Sequence, residues 1–245
     1  MSLREEMARS GAWLFRWRSY MPLLLFPAVV AALAGFHDIA GSQTLQTAWE
    51  LFCFGLAMLG LAIRVLTVGF VPAGTSGRNT REQLAAALNT TGAYSLVRHP
   101  LYVGNSLIWL GVMSFLHAWW LIAIAMLVFW VYYERIMLAE EAFLGARFGA
   151  AFEEWARRTP AFIPSARNWT PPVFPFSWRS VLARENSTLL SIIISFCILD
   201  VSGDFLLGNP PGLDDGWLVL LCADLAFYAV VRWMKRHDLL AVEGR

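Results

Sequence analysis

Six long apolar blocks dominate this 245-residue chain, at 21–36, 48–71, 101–117, 119–138, 187–207 and 216–233. A helix needs about 20 apolar residues, within a range of roughly 17–25, to cross a bilayer. The blocks therefore predict an all-α integral membrane bundle with about six transmembrane helices. The first is short and reads as a tilted or partly buried helix. The third and fourth nearly touch and read as one helical hairpin turning near His117 and Ala118. Composition agrees: 58% of residues are hydrophobic and 15% charged, where soluble domains run nearer half and a quarter. The first twenty residues mix Arg4, Arg9, Arg16 and Arg18 with Glu5 and Glu6, which is not the pattern of a secretory signal.

Charge sets the expected orientation, because lysine and arginine accumulate in cytoplasmic loops. The basic residues outside the spans fall before the first block, between the second and third (Arg78, Arg81, Arg98), from Arg135 through Arg184, and after the sixth (Lys235, Arg236, Arg245). The segments 37–47, the His117 turn and 208–215 carry none. The alternation predicts both termini in the cytoplasm, in a membrane that the arginine-rich usage marks as bacterial and inner. A net charge of +1 offers no basic stripe for nucleic acid. Cys53, Cys197 and Cys222 all lie in apolar blocks and have no metal or redox spacing. They are expected as core or lipid-facing thiols, and no metal site is expected.

Two cytoplasmic stretches are long, 72–100 and 139–184, and a polar stretch of that length is rarely idle. Within the second, Phe143, Leu144, Phe148, Phe152 and Trp155 recur at helical spacing between charges, which predicts an amphipathic helix continuing out of the fourth span. The segment 160–178 is rich in proline and aromatics, and tryptophan favours the headgroup layer. The organisation expected is spans 1–2 over 1–74, a catalytic core over 75–170, and an interfacial linker with spans 5–6 over 171–245.

The hairpin brings chemistry together. The third span begins, and the fourth ends, on the cytoplasmic side. Arg98, His99 and Tyr102 should therefore meet the stretch from Tyr133, Glu134 and Arg135 to Glu140 and Glu141 there. Ionisable clusters at a membrane boundary are paired or functional. Pro100 suits a first helical turn, whose free N–H groups can receive an anion. A merely positive-inside border with an aromatic belt is the other reading of the same residues.

The run Leu96-Val97-Arg98-His99-Pro100-Leu101-Tyr102-Val103-Gly104 resembles the signature of the isoprenylcysteine carboxyl methyltransferase and phospholipid methyltransferase superfamily. Glu140-Glu141, with Leu144, Phe148, Gly149, Phe152, Trp155 and Pro160, is similar to its second block, as are Thr91-Gly92 and Tyr94 upstream. The resemblance covers roughly 60–164. It implies an integral membrane enzyme moving a methyl group from S-adenosyl-L-methionine, bound in a cytoplasm-facing pocket, to a lipid or lipid-linked acceptor entering from the bilayer. It implies that His99, Pro100, Leu101 and Tyr102 line the cofactor pocket, that Leu88, Asn89 and Tyr94 close it, and that Glu140 or Glu141 binds the cofactor's amino or ribose groups. Arg98 and Arg135 are the candidate cations for the acceptor. Arg135 lies five residues before Glu140 where the pattern has four, which turns it from the Glu140 face. Asn105 replaces a bulkier residue of the protein-methylating branch. The acceptor classes implied are a lipid phosphate (as in lipid A, the branch preferred), a phospholipid amine or a prenylcysteine carboxylate. An NADPH-dependent sterol-type reductase and a transporter using Arg64, Asp200, Asp204 and Asp224 are the alternatives.

Arg64, in the inner part of the second span, is read either as a headgroup or cofactor contact or as a snorkelling cation. Asp200, Asp204 and Asp224 are expected to form local hydrogen bonds or an outer vestibule. His117 and His237 are expected to be solvated.

Overall fold

The computed structural model describes residues 3–18, 20–36, 42–72, 85–208 and 212–242. Arg78, Arg81, Arg245 and the connection at 73–84 lie outside the described residues. The described chain is helical: α1 (Leu3–Trp17), α2 (Phe26–Leu33), α3 (Gln43–Gly69), α4 (Ala93–Leu96), α5 (Pro100–Ser114), α6 (Trp119–Phe148), α7 (Ala150–Arg158), α8 (Trp178–Leu207) and α9 (Asp215–Arg236).

Four of these, α3, α6, α8 and α9, are long and apolar enough to cross a membrane. The first and third blocks form shorter helices. Pro22 and Pro27 break the first into a 3-10 turn followed by α2 of 8 residues, and α5 has 15 residues, a rise of about 22 Å. Large apolar side chains stand exposed along every long helix, among them Leu51, Phe52 and Leu59 on α3, Leu127 on α6, Ile198 on α8, and Val219 and Val230 on α9. Such continuous apolar surface belongs against lipid. The chain is an integral membrane protein.

Contacts define two ends of the bundle. At one, His117 stacks on Phe36 at 5.6 Å and packs on Trp49 at 5.6 Å, and the Trp49 indole donates to the Ser114 carbonyl at 2.9 Å. Asp200 accepts from the Asp214 N–H at 3.4 Å there. At the other end lie Arg64, His99, Glu140 and Glu185. The α5–α6 turn falls at His117, as the blocks predict. His117 adopts φ 56, and packing between aromatic rings replaces the solvated position expected for it. His237 is exposed and packs on Trp233 at 4.8 Å.

Small residues let α3 and α5 approach closely. A Cβ at Gly60 would strike the Gly104 carbonyl and one at Gly111 would meet Cys53 and Ala57, so van der Waals contact between backbones holds the pair where no water drives association. Around them a core of Leu61, Phe115, Leu121, Ile192 and Phe196 joins α3, α5, α6 and α8. The amphipathic helix is split: α6 runs to Phe148, Gly149 turns at φ 53, and α7 buries Phe152 and Trp155. A positive φ at Gly149 lets the chain turn back over the site where a side chain would be strained. Cys53 and Cys197 are buried, Cys222 is exposed, and all three are free thiols. Asp224 is 5% exposed and neither carboxylate oxygen has a hydrogen-bond partner among the described residues, so the local bonding expected there is not formed among them.

Candidate active site

His99 caps α5 and Pro100 occupies its first turn, where the missing N–H costs nothing. The loop before it is held by backbone bonds to the proline-rich segment. Arg98 N–H donates to the Pro160 carbonyl at 2.9 Å, His99 N–H to Ala161 at 3.3 Å, Ser165 N–H to Leu96 at 2.9 Å and Gly92 N–H to Thr170 at 2.9 Å. The Trp155 indole donates to the Tyr94 carbonyl at 3.0 Å. Much of 160–170 thus serves as a backbone partner for the site loop. Tyr94, Leu88 and Asn89 are half-buried on that loop.

The side chains converge across the hairpin. His99 Nε2 lies 3.1 Å from Glu141 Oε1 and His99 Nδ1 lies 3.4 Å from Glu140 Oε2. Arg98 Nη1 donates to the same Glu141 oxygen at 2.9 Å. The Tyr102 hydroxyl donates to Glu140 Oε1 at 2.6 Å, and its ring stacks on His99 at 5.7 Å. Burial pushes the imidazole pKa down, but the hydrogen bonds and charges of Glu140 and Glu141 outweigh it and raise His99 above its ordinary value. An imidazole with a carboxylate at each nitrogen favours the form in which both nitrogens donate. Glu141 is closed in, at 9% side-chain exposure, whereas Glu140 is open at 25%. Arg98 Nε is buried and has no hydrogen-bond partner among the described residues.

The structure therefore brings together Arg98, His99, Tyr102, Glu140 and Glu141, flanked by Pro100 and Leu101. It does not bring Arg135 to them: Arg135 Nη1 donates to the Val131 carbonyl one turn back at 2.9 Å, because the five-residue offset places it on another face of α6.

A second polar layer lies deeper in the bundle. Arg64 Nε donates to Glu185 Oε2 at 2.7 Å and Nη2 to Oε1 at 2.9 Å. Arg64 Nη1 donates to Asn105 Oδ1 at 2.6 Å, and Asn105 Nδ2 donates to the Tyr133 hydroxyl at 3.2 Å. Arg64 is thus a structural ion-pair partner, neither snorkelling nor free. Glu185 was absent from the sequence-derived site, and Tyr133 stood at the hairpin end without a role. The only signal was an acidic residue at the head of the fifth apolar block, and nothing in a linear chain pairs it with Arg64.

A model of the phospholipid methyltransferase family matches residues 47–151. Protein-S-isoprenylcysteine O-methyltransferase B of Arabidopsis thaliana is 31% identical over 141 residues, covering 56% of this chain and 71% of the plant protein. The chain belongs to the isoprenylcysteine and phospholipid methyltransferase superfamily. Two bacterial relatives carry other names. The cobalt-zinc-cadmium resistance protein CzcN of Cupriavidus metallidurans is 38% identical over 109 residues, 44% of this chain and 48% of that protein. The nickel-cobalt-cadmium resistance protein NccN of Alcaligenes xylosoxydans xylosoxydans is 36% identical over 148 residues, 60% and 62%. The match thus spans about half to three-fifths of these two bacterial relatives. No solved structure matches the chain. The matched region of this superfamily member contains both glutamates, His99 and Arg64, and ends before α8.

Proposed function

We propose that this chain transfers a methyl group from S-adenosyl-L-methionine to an acceptor carried in the membrane, from a pocket opening to the cytoplasm. The observation that carries the reading is the cluster of Arg98, His99, Glu140 and Glu141, in which one buried arginine nitrogen has no partner among the described residues. The donor set fits the cofactor's amino-acid end. Arg98 Nε faces its carboxylate, and Glu140, the more open of the two acids, takes its ammonium or ribose hydroxyls. His99, Pro100, Leu101 and Tyr102 line the pocket, with Leu88, Asn89 and Tyr94 on its loop side. When bound, the cofactor supplies a methyl group already activated by its sulfonium.

The protein's share is alignment and exclusion of water, which together account for about 7–11 kcal/mol of barrier in well-oriented reactions. The Glu141 ion pairs and the strap at 160–170 fix Arg98 and His99, so the pocket is preorganised before anything binds. The same reading takes a six-crossing arrangement with both termini cytoplasmic, on the alternation along the chain of connections with and without lysine or arginine. Within it α2 and α5 cross as short helices lined by protein. The acceptor proposed is a lipid headgroup or lipid-linked group. The names of the bacterial relatives add a physiological frame of metal resistance: methylating an envelope phosphate removes an ionisable oxygen that would bind cations.

The test is calorimetric binding of S-adenosylhomocysteine to purified, detergent-solubilised protein. Micromolar binding that is lost in His99→Ala and Glu140→Ala is expected. Folded wild-type protein that binds none would sink the reading.

A further inference from the structure

The deeper polar layer has a direction built into it. Arginine can only donate, so the Asn105 oxygen must face Arg64 and its NH2 must face Tyr133. The Tyr133 hydroxyl oxygen therefore receives a hydrogen bond, at 3.2 Å. Its own proton has no acceptor among the described residues, although the residue is only 6% exposed. A buried O–H held in this way is a donor waiting for an oxygen. The direction is set at the far end: Glu185, 4% exposed, takes N–H groups from Nε and Nη2 of Arg64 and leaves Nη1 facing Asn105. Position matters too. Asn105 lies six residues beyond His99 along α5 and Tyr133 eight before Glu141 along α6, a rise of about 9–12 Å from those two residues. The Tyr133 ring is 4.7 Å from that of Tyr102, whose hydroxyl reaches Glu140. The free donor thus adjoins the cofactor cluster on its membrane side.

We infer that Tyr133 binds the methyl acceptor through a hydrogen bond to an anionic oxygen, so the acceptor is an oxyanion headgroup, and that Glu185, beyond the family region, is the positioning residue that aims Tyr133 through Arg64 and Asn105. The inference rests on the methyl-transfer reading. The bond formed is between the acceptor oxygen and the methyl carbon. The bond broken is between that carbon and sulfur, and its electron pair stays on sulfur. An anionic oxygen carries no proton to remove, so no general base is needed. Tyr133 holds a second oxygen of the same phosphate or carboxylate, which leaves the attacking one free.

The experiment reads the Tyr133 ring resonance in protein labelled with 13Cζ-tyrosine, assigned by its loss in Tyr133→Phe. Dodecyl phosphate and dodecylammonium serve as probes, and S-adenosylhomocysteine binding is measured in parallel. The resonance is expected to move with dodecyl phosphate and stay put with dodecylammonium. Glu185→Gln should displace it as far as Asn105→Ala does, with no further change in the double variant. Tyr133→Phe should weaken dodecyl phosphate about tenfold and leave S-adenosylhomocysteine affinity at the wild-type value. A resonance unmoved in Glu185→Gln would overturn the positioning role. No response to dodecyl phosphate, or a response to dodecylammonium, would overturn the acceptor class. Loss of S-adenosylhomocysteine binding in the wild type would fail the methyl-transfer reading instead, and the Glu185→Gln comparison would still judge the positioning role on its own.

Discussion

The two polar layers of this protein are built from the same residue types and treat them differently. In the layer at the bundle end, Arg98, His99, Glu140 and Glu141 share hydrogen bonds unevenly. One glutamate oxygen takes both Arg98 and His99, Glu140 stands partly open, and Arg98 Nε has no partner among the described residues. In the deeper layer, Arg64 and Glu185 close on each other with two bonds of 2.7 and 2.9 Å. An open layer with unspent hydrogen-bonding capacity suits a ligand. A closed pair fixes geometry.

Breaking the closed pair should have the largest effect. Arg64→Ala leaves Glu185 buried and unpaired, and a cost of about 3–5 kcal/mol is expected, read as a fall in the denaturation midpoint of the solubilised protein. Replacing both partners, Arg64→Met with Glu185→Leu, should recover most of that stability but not the Tyr133 orientation. A double variant as unstable as the single one would mean the pair is not acting as a unit.

The open layer should respond less in stability and more in binding. Glu141→Ala removes the shared acceptor of Arg98 and His99 and is expected to cost about 1–3 kcal/mol, while S-adenosylhomocysteine binding falls below detection. Retained binding would place the ligand elsewhere.

His99 sharpens the contrast through pH. Its folded pKa is raised above an unfolded value of about 6.5. Its contribution is therefore complete below about pH 6.5 and is lost as pH rises through the folded value. The stability difference between wild type and His99→Gln should shrink on going from about pH 6 to about pH 9, followed by chemical denaturation. A difference that grows with pH would mean the histidine is neutral in the fold. The smallest effect is expected at the exposed Arg158–Glu154 pair, 3.4 Å apart. Arg158→Ala should change stability by under about 0.5 kcal/mol.

The open layer was legible in the sequence and the closed one was not. Arg98, His99 and Tyr102 stand within five residues, and a hairpin of two apolar blocks has only one way to return Glu140 and Glu141 beside them. Arg135 shows how far such reading carries. A one-residue offset on a helix is about 100°, and the side chain accordingly bonds to its own helix. Glu185 was invisible because its partner lies on another helix, and no periodicity records which arginine a distant glutamate meets. The first block was legible as short, but where α2 and α5 end was not, for a related reason. Hydropathy counts apolar residues, while prolines and packing against neighbours decide where a helix stops.

The sequence by itself determined that the chain is an α-helical membrane protein, because apolar runs of this length leave the backbone only helices in lipid. It also determined that the Arg98–Tyr102 run meets the Glu140–Glu141 pair, because the connection is local. The tertiary structure alone decided which atoms are spent and which remain free. That depends on distances between helices, set by small-residue packing such as Gly60 against Gly104, and on the geometric rule that a donor-only arginine between two acceptors orients everything bonded to it.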